Sequence, residues 1–96
     1  MKVHTKIYFE YFGIDYDLAT GWHDHIDCEL DGKVTVDIHH IEPKGMGGSR
    51  NKDVIDNLIA LCRDCHTDAH AEKISKETLQ RAHAKKMLAK HAKRTK

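Results

Sequence analysis

Histidines concentrate in one stretch of this chain, between residues 37 and 70. Two of them are adjacent, His39 and His40, and His66 and His70 follow at a spacing of four residues. Residues four apart lie on one face of a helix, so these two imidazoles could bind one cation together. A third imidazole from a neighbouring strand would leave positions open for water and substrate. The pattern therefore predicts a metal centre built from histidines.

The two adjacent histidines are expected to have different roles, one in binding the metal and the other in accepting a proton. Neighbouring residues of a strand point to opposite sides, so only one of His39 and His40 is expected to bind the cation. The other imidazole would be kept neutral by the nearby positive charge and could accept a proton from water near pH 7. Asn57 could fix the tautomer of that base by a hydrogen bond to its other ring nitrogen. A cation and a neutral histidine suffice to hydrolyse a phosphodiester.

The cysteines indicate a second use of metal. The chain has 96 residues, which allows one thin core, and small domains of this size often add a metal. Three cysteines without a secretion signal argue for reduced thiolates, with Cys62 and Cys65 at metal-binding spacing. The sequence also lacks an apolar run long enough to cross a bilayer. We therefore expect a soluble, cytoplasmic protein.

The sequence predicts an α+β protein that forms one small domain over residues 1–96. A short aromatic helix should end at Gly13, and an alternating strand should deliver the paired histidines to a glycine-rich loop. A buried strand ending at Cys62 and two helices should follow. The expected ranges are helix 4–12, strand 34–38, loop 42–51, helix 63–71 and a basic helix from Ser75, with fraying after about Lys90.

Charge is distributed unevenly along the chain. Residues 1–72 carry 7 Lys/Arg and 14 Asp/Glu, whereas residues 73–96 carry 9 and 1. A segregated basic end is typical of proteins that contact nucleic acid, although a solvated helix with a basic tail would look the same. We expect DNA contact within residues 76–96. Four further basic side chains either contact the DNA backbone or are solvated surface charges: Lys44, Arg50, Lys52 and Arg63.

The run D-I-H-H-I-E-P-K-G-M-G-G-S, followed by Asn57 and by His66 with His70, resembles the HNH endonuclease family and its ββα-metal fold, and is similar to small HNH proteins of bacteriophages. The matching part is about residues 25–72. The resemblance implies that His40 is the general base, Asn57 orients it, and His39 and His66 bind the catalytic metal. Likeness to bacterial colicin nuclease domains implies His70 as a third ligand. An all-imidazole set suits Mn²⁺, Ni²⁺, Co²⁺ or Zn²⁺ better than Mg²⁺.

Many members of that family also hold a structural zinc with two C-x-x-C pairs. The second pair is present as Cys62 and Cys65, but the first has Cys28 followed by Asp31 where its second cysteine would be. Structural zinc sites prefer sulfur and nitrogen, so the fourth ligand is either Asp31 or His25. The alternative is a degraded site whose cysteines are small buried side chains.

These observations predict a metal-dependent DNA endonuclease or nickase that acts on double-stranded DNA as a monomer or weak dimer. The resemblance to phage proteins implies a role in phage genome packaging or processing, with a terminase as a partner. The alternative is a non-catalytic zinc module that binds nucleic acid through its basic end. Four histidines outside the motif are interpreted as surface or satisfied side chains: His4, His23, His83 and His91.

Overall fold

The structure is a computed structural model that describes residues 2–35, 37–42 and 52–94, with side chains up to residue 90. Within these ranges, three helices and two antiparallel strands confirm the predicted α+β class. In chain order they are α1 (Val3–Phe12), β1 (Asp37–His40), β2 (Leu58–Leu61), α2 (Arg63–His70) and α3 (Lys76–Arg94), with a 3₁₀ turn at Ile55–Asn57 before β2.

Strand β2 lies between two small cores. All four of its residues are buried, because successive side chains of a strand point to opposite faces and both faces are covered here. Leu58 and Ala60 pack with the aromatic side of α1, whereas Ile59 and Leu61 pack with the cysteines and with Leu79 of α3. The same alternation runs along its partner β1, so consecutive residues of β1 also face different sides.

Helix α1 covers the first core, where it packs against β1 and β2. Tyr8 and Phe9 are fully buried, so the aromatic run serves packing, as the sequence predicted. The helix ends at Gly13, which adopts a left-handed conformation at φ 68°, and this confirms the predicted stop.

The first strand begins later than the alternation of residues 34–38 predicts. Val34 forms only an isolated bridge with Asp27 and is 63% exposed. The partner of β2 is instead Asp37–His40, with His39 opposite Ile59 and His40 opposite Leu58. Pairing with a fully buried strand overrides the local β propensity of Val34. The two histidines consequently lie within the strand, where the pleat separates them.

A buried polar network joins the helices to the sheet. Glu29 accepts hydrogen bonds from His83 Nδ1 at 2.9 Å, from the Tyr8 hydroxyl, and from the backbone N–H of Ala60 at 3.1 Å. His83 Nε2 lies 2.6 Å from the carbonyl oxygen of Ile55. Both ring nitrogens therefore face oxygen acceptors, an arrangement that fits an imidazolium paired with a carboxylate. His83 is thus the satisfied core histidine that the sequence suggested.

Helix α3 begins where the sequence predicts and runs to Arg94. The Ser75 hydroxyl accepts a hydrogen bond from the backbone N–H of Thr78 at 3.2 Å, which caps the first turn. Further along, Lys86 lies 4.7 Å from the ring centroid of Phe12, and Lys90 lies 4.7 Å from that of Tyr11. Part of the basic face is therefore used to pack α3 on α1. None of the helices in the described ranges has the length and apolar character needed to cross a membrane.

Candidate metal centre

Three imidazoles converge between β1 and α2. His39 comes from the strand, and His66 and His70 come from one face of the helix, and each offers a ring nitrogen within 4.8 Å of the others. The Nε2 atoms of His66 and His70 are 2.9 Å apart. The ring centroid of His39 lies 5.1 Å from the ring centroid of His66 and 5.1 Å from that of His70. The arrangement places three nitrogen donors around one small volume.

The electrostatics of this cluster suit a cation. Burial, followed by the charges of the neighbouring imidazoles, lowers the pKa of His39 to about 4, so its ring is neutral near pH 7. The Asp37 carboxylate lies 3.1 Å from His66 Nδ1 and accepts that N–H, which leaves the Nε2 lone pair facing the cluster. Three imidazoles with a carboxylate behind one of them are a donor set that divalent transition metals accept.

His40 lies on the other face of β1, against a different set of groups. Its Nε2 is 2.7 Å from Asp53 Oδ1, and the two side chains are 18% and 16% exposed. A carboxylate only accepts, so Nε2 carries the proton and Nδ1 is left as the acceptor. The ring centroids of His4 and His40 lie 4.4 Å apart. Burial lowers the pKa of His4, and the charge of the neighbouring His40 lowers it further.

Asn57 does not make the contact that was expected of it. Its side-chain nitrogen donates to the carbonyl oxygens of Glu42 at 3.0 Å and Lys52 at 2.9 Å, and its oxygen accepts from the Glu42 N–H at 2.8 Å. Within the described residues, the group bonded to the ring of His40 is Asp53. Both N–H groups of Asn57 are committed to the backbone, so Asn57 holds together the residues that flank segment 43–51 instead of fixing the His40 tautomer directly.

Both groups of histidines open on one pocket of about 770 Å³. The cluster of His39, His66 and His70 is therefore accessible to the same bound molecule as His40, although His39 and His40 lie on different faces of β1. The lining includes Lys2, His4, Asp37, His39, His40, His66, His70 and Lys76.

The cysteines form a separate cluster beside the second core. Cys28 and Cys62 are buried, Cys65 is half-buried, and Asp31 offers a carboxylate oxygen within 4.8 Å of all three sulfurs. The thiols of Cys62 and Cys65 lie 3.2 and 3.4 Å from Asp31 Oδ2. His25 instead pairs with Asp27. Of the two candidate fourth ligands, the structure places Asp31 with the cysteines, and this set could hold a zinc ion.

Hydrogen bonds and burial shift the pKa values of two members of this cysteine cluster, Asp31 and Cys65. The backbone N–H of Lys33, followed by the cysteine thiols, holds the pKa of Asp31 well below its usual range. Burial, followed by hydrogen bonds to Cys62 and Asp31, holds the pKa of the Cys65 thiol well above its usual range. Without metal the carboxylate accepts hydrogen bonds from protonated thiols, and a zinc ion would bind in exchange for those protons.

The four basic residues predicted to touch DNA are only partly described. Lys44 and Arg50 lie outside the described residues. Lys52 is half-buried beside Asn57, and Arg63 is exposed at the first position of α2. Contact of these side chains with DNA stays a prediction.

A strand histidine facing two histidines on the next helix, with a second strand histidine beside it, defines a nuclease-type ββα-metal core. Residues 23–72 match the HNH endonuclease family, and this covers just over half of the 96 residues. The chain belongs to that family, as the sequence predicted.

Among curated proteins, the chain is similar to the type IV methyl-directed restriction enzyme EcoKMcrA of Escherichia coli (strain K12). The two are 38% identical over 50 residues, which are 52% of this chain and 17% of EcoKMcrA. The chain thus spans a small part of the length of that relative. No solved structure matches the chain at a significant level.

Proposed function

We propose that the chain is a metal-dependent endonuclease that hydrolyses or nicks phosphodiester bonds in double-stranded DNA. The observation that carries this proposal is the pocket shared by two features of β1. One is the convergence of His39 with His66 and His70, and the other is His40, a single residue further along and hydrogen-bonded to Asp53. Membership of a family of endonucleases supports the same reaction class.

His40 is the proposed general base. Because Nε2 donates to Asp53, Nδ1 can take a proton from water as that water attacks the phosphorus. The Asp53 carboxylate holds the ring in this tautomer and stabilises the positive charge that the imidazole acquires. We therefore assign to Asp53 the orienting role that was predicted for Asn57.

His39, His66 and His70 are the proposed ligands of a catalytic divalent cation. When bound, such a cation stabilises the negative charge that develops on the phosphate and its leaving oxygen. Asp37 orients the ring of His66 through the Nδ1 hydrogen bond. Three nitrogen donors favour Mn²⁺, Ni²⁺, Co²⁺ or Zn²⁺ over Mg²⁺.

Cleavage of supercoiled plasmid, after chelation and readdition of single divalent ions, tests the proposal. His40→Ala should lower the rate by about 10²–10⁴-fold, the usual contribution of a general base. His66→Ala should also abolish cleavage, while His25→Ala, which removes an exposed imidazole outside the pocket, should behave as wild type. Circular dichroism and DNA-binding assays establish that the variants fold and bind. A wild-type chain that leaves plasmid intact with every divalent ion would contradict the proposal.

A second function is favoured by the cysteine cluster. A zinc held by Cys28, Asp31, Cys62 and Cys65 would stabilise a module that binds DNA through α3 without cutting it. This alternative predicts DNA binding that is lost on zinc removal and cleavage that never appears. A setting in phage genome processing, beside a terminase, stays a prediction.

A further inference from the structure

We propose that His4, His40 and Asp53 form a second cation site, and that a transition-metal ion bound there switches the general base off. The inference rests on the proposed role of His40 as the base. It concerns a set of residues separate from the cluster of His39, His66 and His70.

The geometry of the three side chains supports a shared ion. His4 lies in the first turn of α1, His40 in β1, and Asp53 in the segment before the 3₁₀ turn, so three separate parts of the chain bring them together. One donor atom from each lies within 4.8 Å of the others, and all three side chains are half-buried. Two imidazoles and one carboxylate are donors that Zn²⁺, Ni²⁺, Co²⁺ and Mn²⁺ accept.

Occupation of this site would change which nitrogen of His40 carries the proton. In the described geometry Nε2 donates to Asp53 and Nδ1 is free to accept. An ion bound by Asp53 and by the Nε2 lone pair displaces that proton from Nε2. The proton moves through solvent to Nδ1, so the imidazole stays neutral and neither nitrogen has a free lone pair. A protonated Nδ1 cannot accept a proton from water, so the base is inactive while the ion is bound.

The second site should also be the weaker one. Because His39 and His40 are adjacent, an ion at each would place two double positive charges close together in a partly buried pocket, where repulsion is poorly screened. Repulsion weakens whichever ion binds second, and an ion at His40 must also displace the Nε2 proton that is hydrogen-bonded to Asp53. The cluster of His39, His66 and His70 should therefore fill at low metal, and the second site only when metal is in excess. Cleavage should rise and then fall as the metal concentration increases.

Binding of Zn²⁺ alone tests the site without reference to cleavage. Zn²⁺ is titrated into the reduced, metal-free full chain in competition with a chromophoric chelator. His4→Ala should bind one ion fewer than wild type, or bind the weakest ion at least about tenfold less tightly, since even outer-shell changes cost that much. Asp53→Asn should do the same, and His25→Ala should match wild type. Equal binding by wild type and both site variants would overturn the proposal.

Plasmid cleavage across a range of metal concentrations tests the consequence. Wild type should lose activity at high Zn²⁺ or Mn²⁺, whereas the cleavage rate of His4→Ala, whatever its own maximum, should not fall over the same range of metal concentration. Inhibition that persists unchanged in His4→Ala would overturn the switch. If no variant cleaves at any concentration, the proposed nuclease function and the switch built on it both fail, while the ion count still decides whether the site exists.

Discussion

The buried Glu29–His83 pair offers the sharpest test of how this small fold is held together. Their side chains are 1% and 3% exposed, and the Glu29 carboxylate also accepts from Tyr8 and from the backbone of Ala60. Glu29→Gln keeps the shape of the side chain but removes the charge, and it replaces one accepting oxygen by an NH₂ donor that faces groups that also donate. Removing one partner of a buried pair costs about 3–5 kcal/mol in the free energy of unfolding.

The matched control is Glu77→Gln, the same substitution in an exposed pair. Glu77 and Arg81 are 79% and 80% exposed, with 3.9 Å between their charged atoms. Glu77→Gln should therefore lower the free energy of unfolding by less than about 1 kcal/mol. Urea unfolding followed by circular dichroism, at equal metal content, measures both. For a domain of this size Glu29→Gln should also lower Tm by at least about 12 °C. A loss below about 1 kcal/mol for Glu29→Gln would refute the assignment of this pair as a stabilising centre.

Three further outcomes follow from the site. Asp31→Cys should raise zinc affinity and Asp31→Ala should lower it at least about tenfold, measured by chelator competition; equal affinities would mean that Asp31 is not a ligand. Asn57→Ala should cost about 1–3 kcal/mol of stability yet leave the ring ¹⁵N shifts of His40 unchanged, whereas Asp53→Asn should move them; the reverse pattern would restore Asn57 as the orienting group. Because burial lowers the pKa of His39 from 6.5 to about 4, the unfolded state binds more protons between those values. The metal-free protein should therefore lose stability as pH falls from about 6.5 to 4, and a His39→Gln variant with the same pH profile would contradict this.

The sequence predicted the elements that local pattern controls. The aromatic helix, its end at Gly13, the buried strand before Cys62 and the pair His66 and His70 all follow from spacing within one element. The start of β1 was predicted too early, because Val34 has strand propensity but pairing with β2 selects the residues that form the ladder. Local pattern and long-range pairing disagree there, and pairing decides.

Two residues that the structure places against His40, Asp53 and His4, were not predicted from the sequence, for a related reason. Asp53 lies 13 residues from His40, and its approach depends on how the chain returns after segment 43–51. His4 was interpreted as a surface or satisfied histidine, yet it precedes the buried Tyr8 by four residues and so shares the inward face of α1. That spacing was the available signal. It shows that the residue faces inward, but the identity of its neighbour depends on the packing of α1 against β1.

The hydrogen bonds of Asn57 have a consequence for how such a protein can diversify. Since one amide ties residue 42 to residue 52, the chain between these anchor points can change in length and composition with little strain on the strands. In general, doubling the length of a loop costs only about 0.6 kcal/mol in closure entropy. New substrate preferences could therefore be acquired by insertion at this point, while the reacting groups keep their positions.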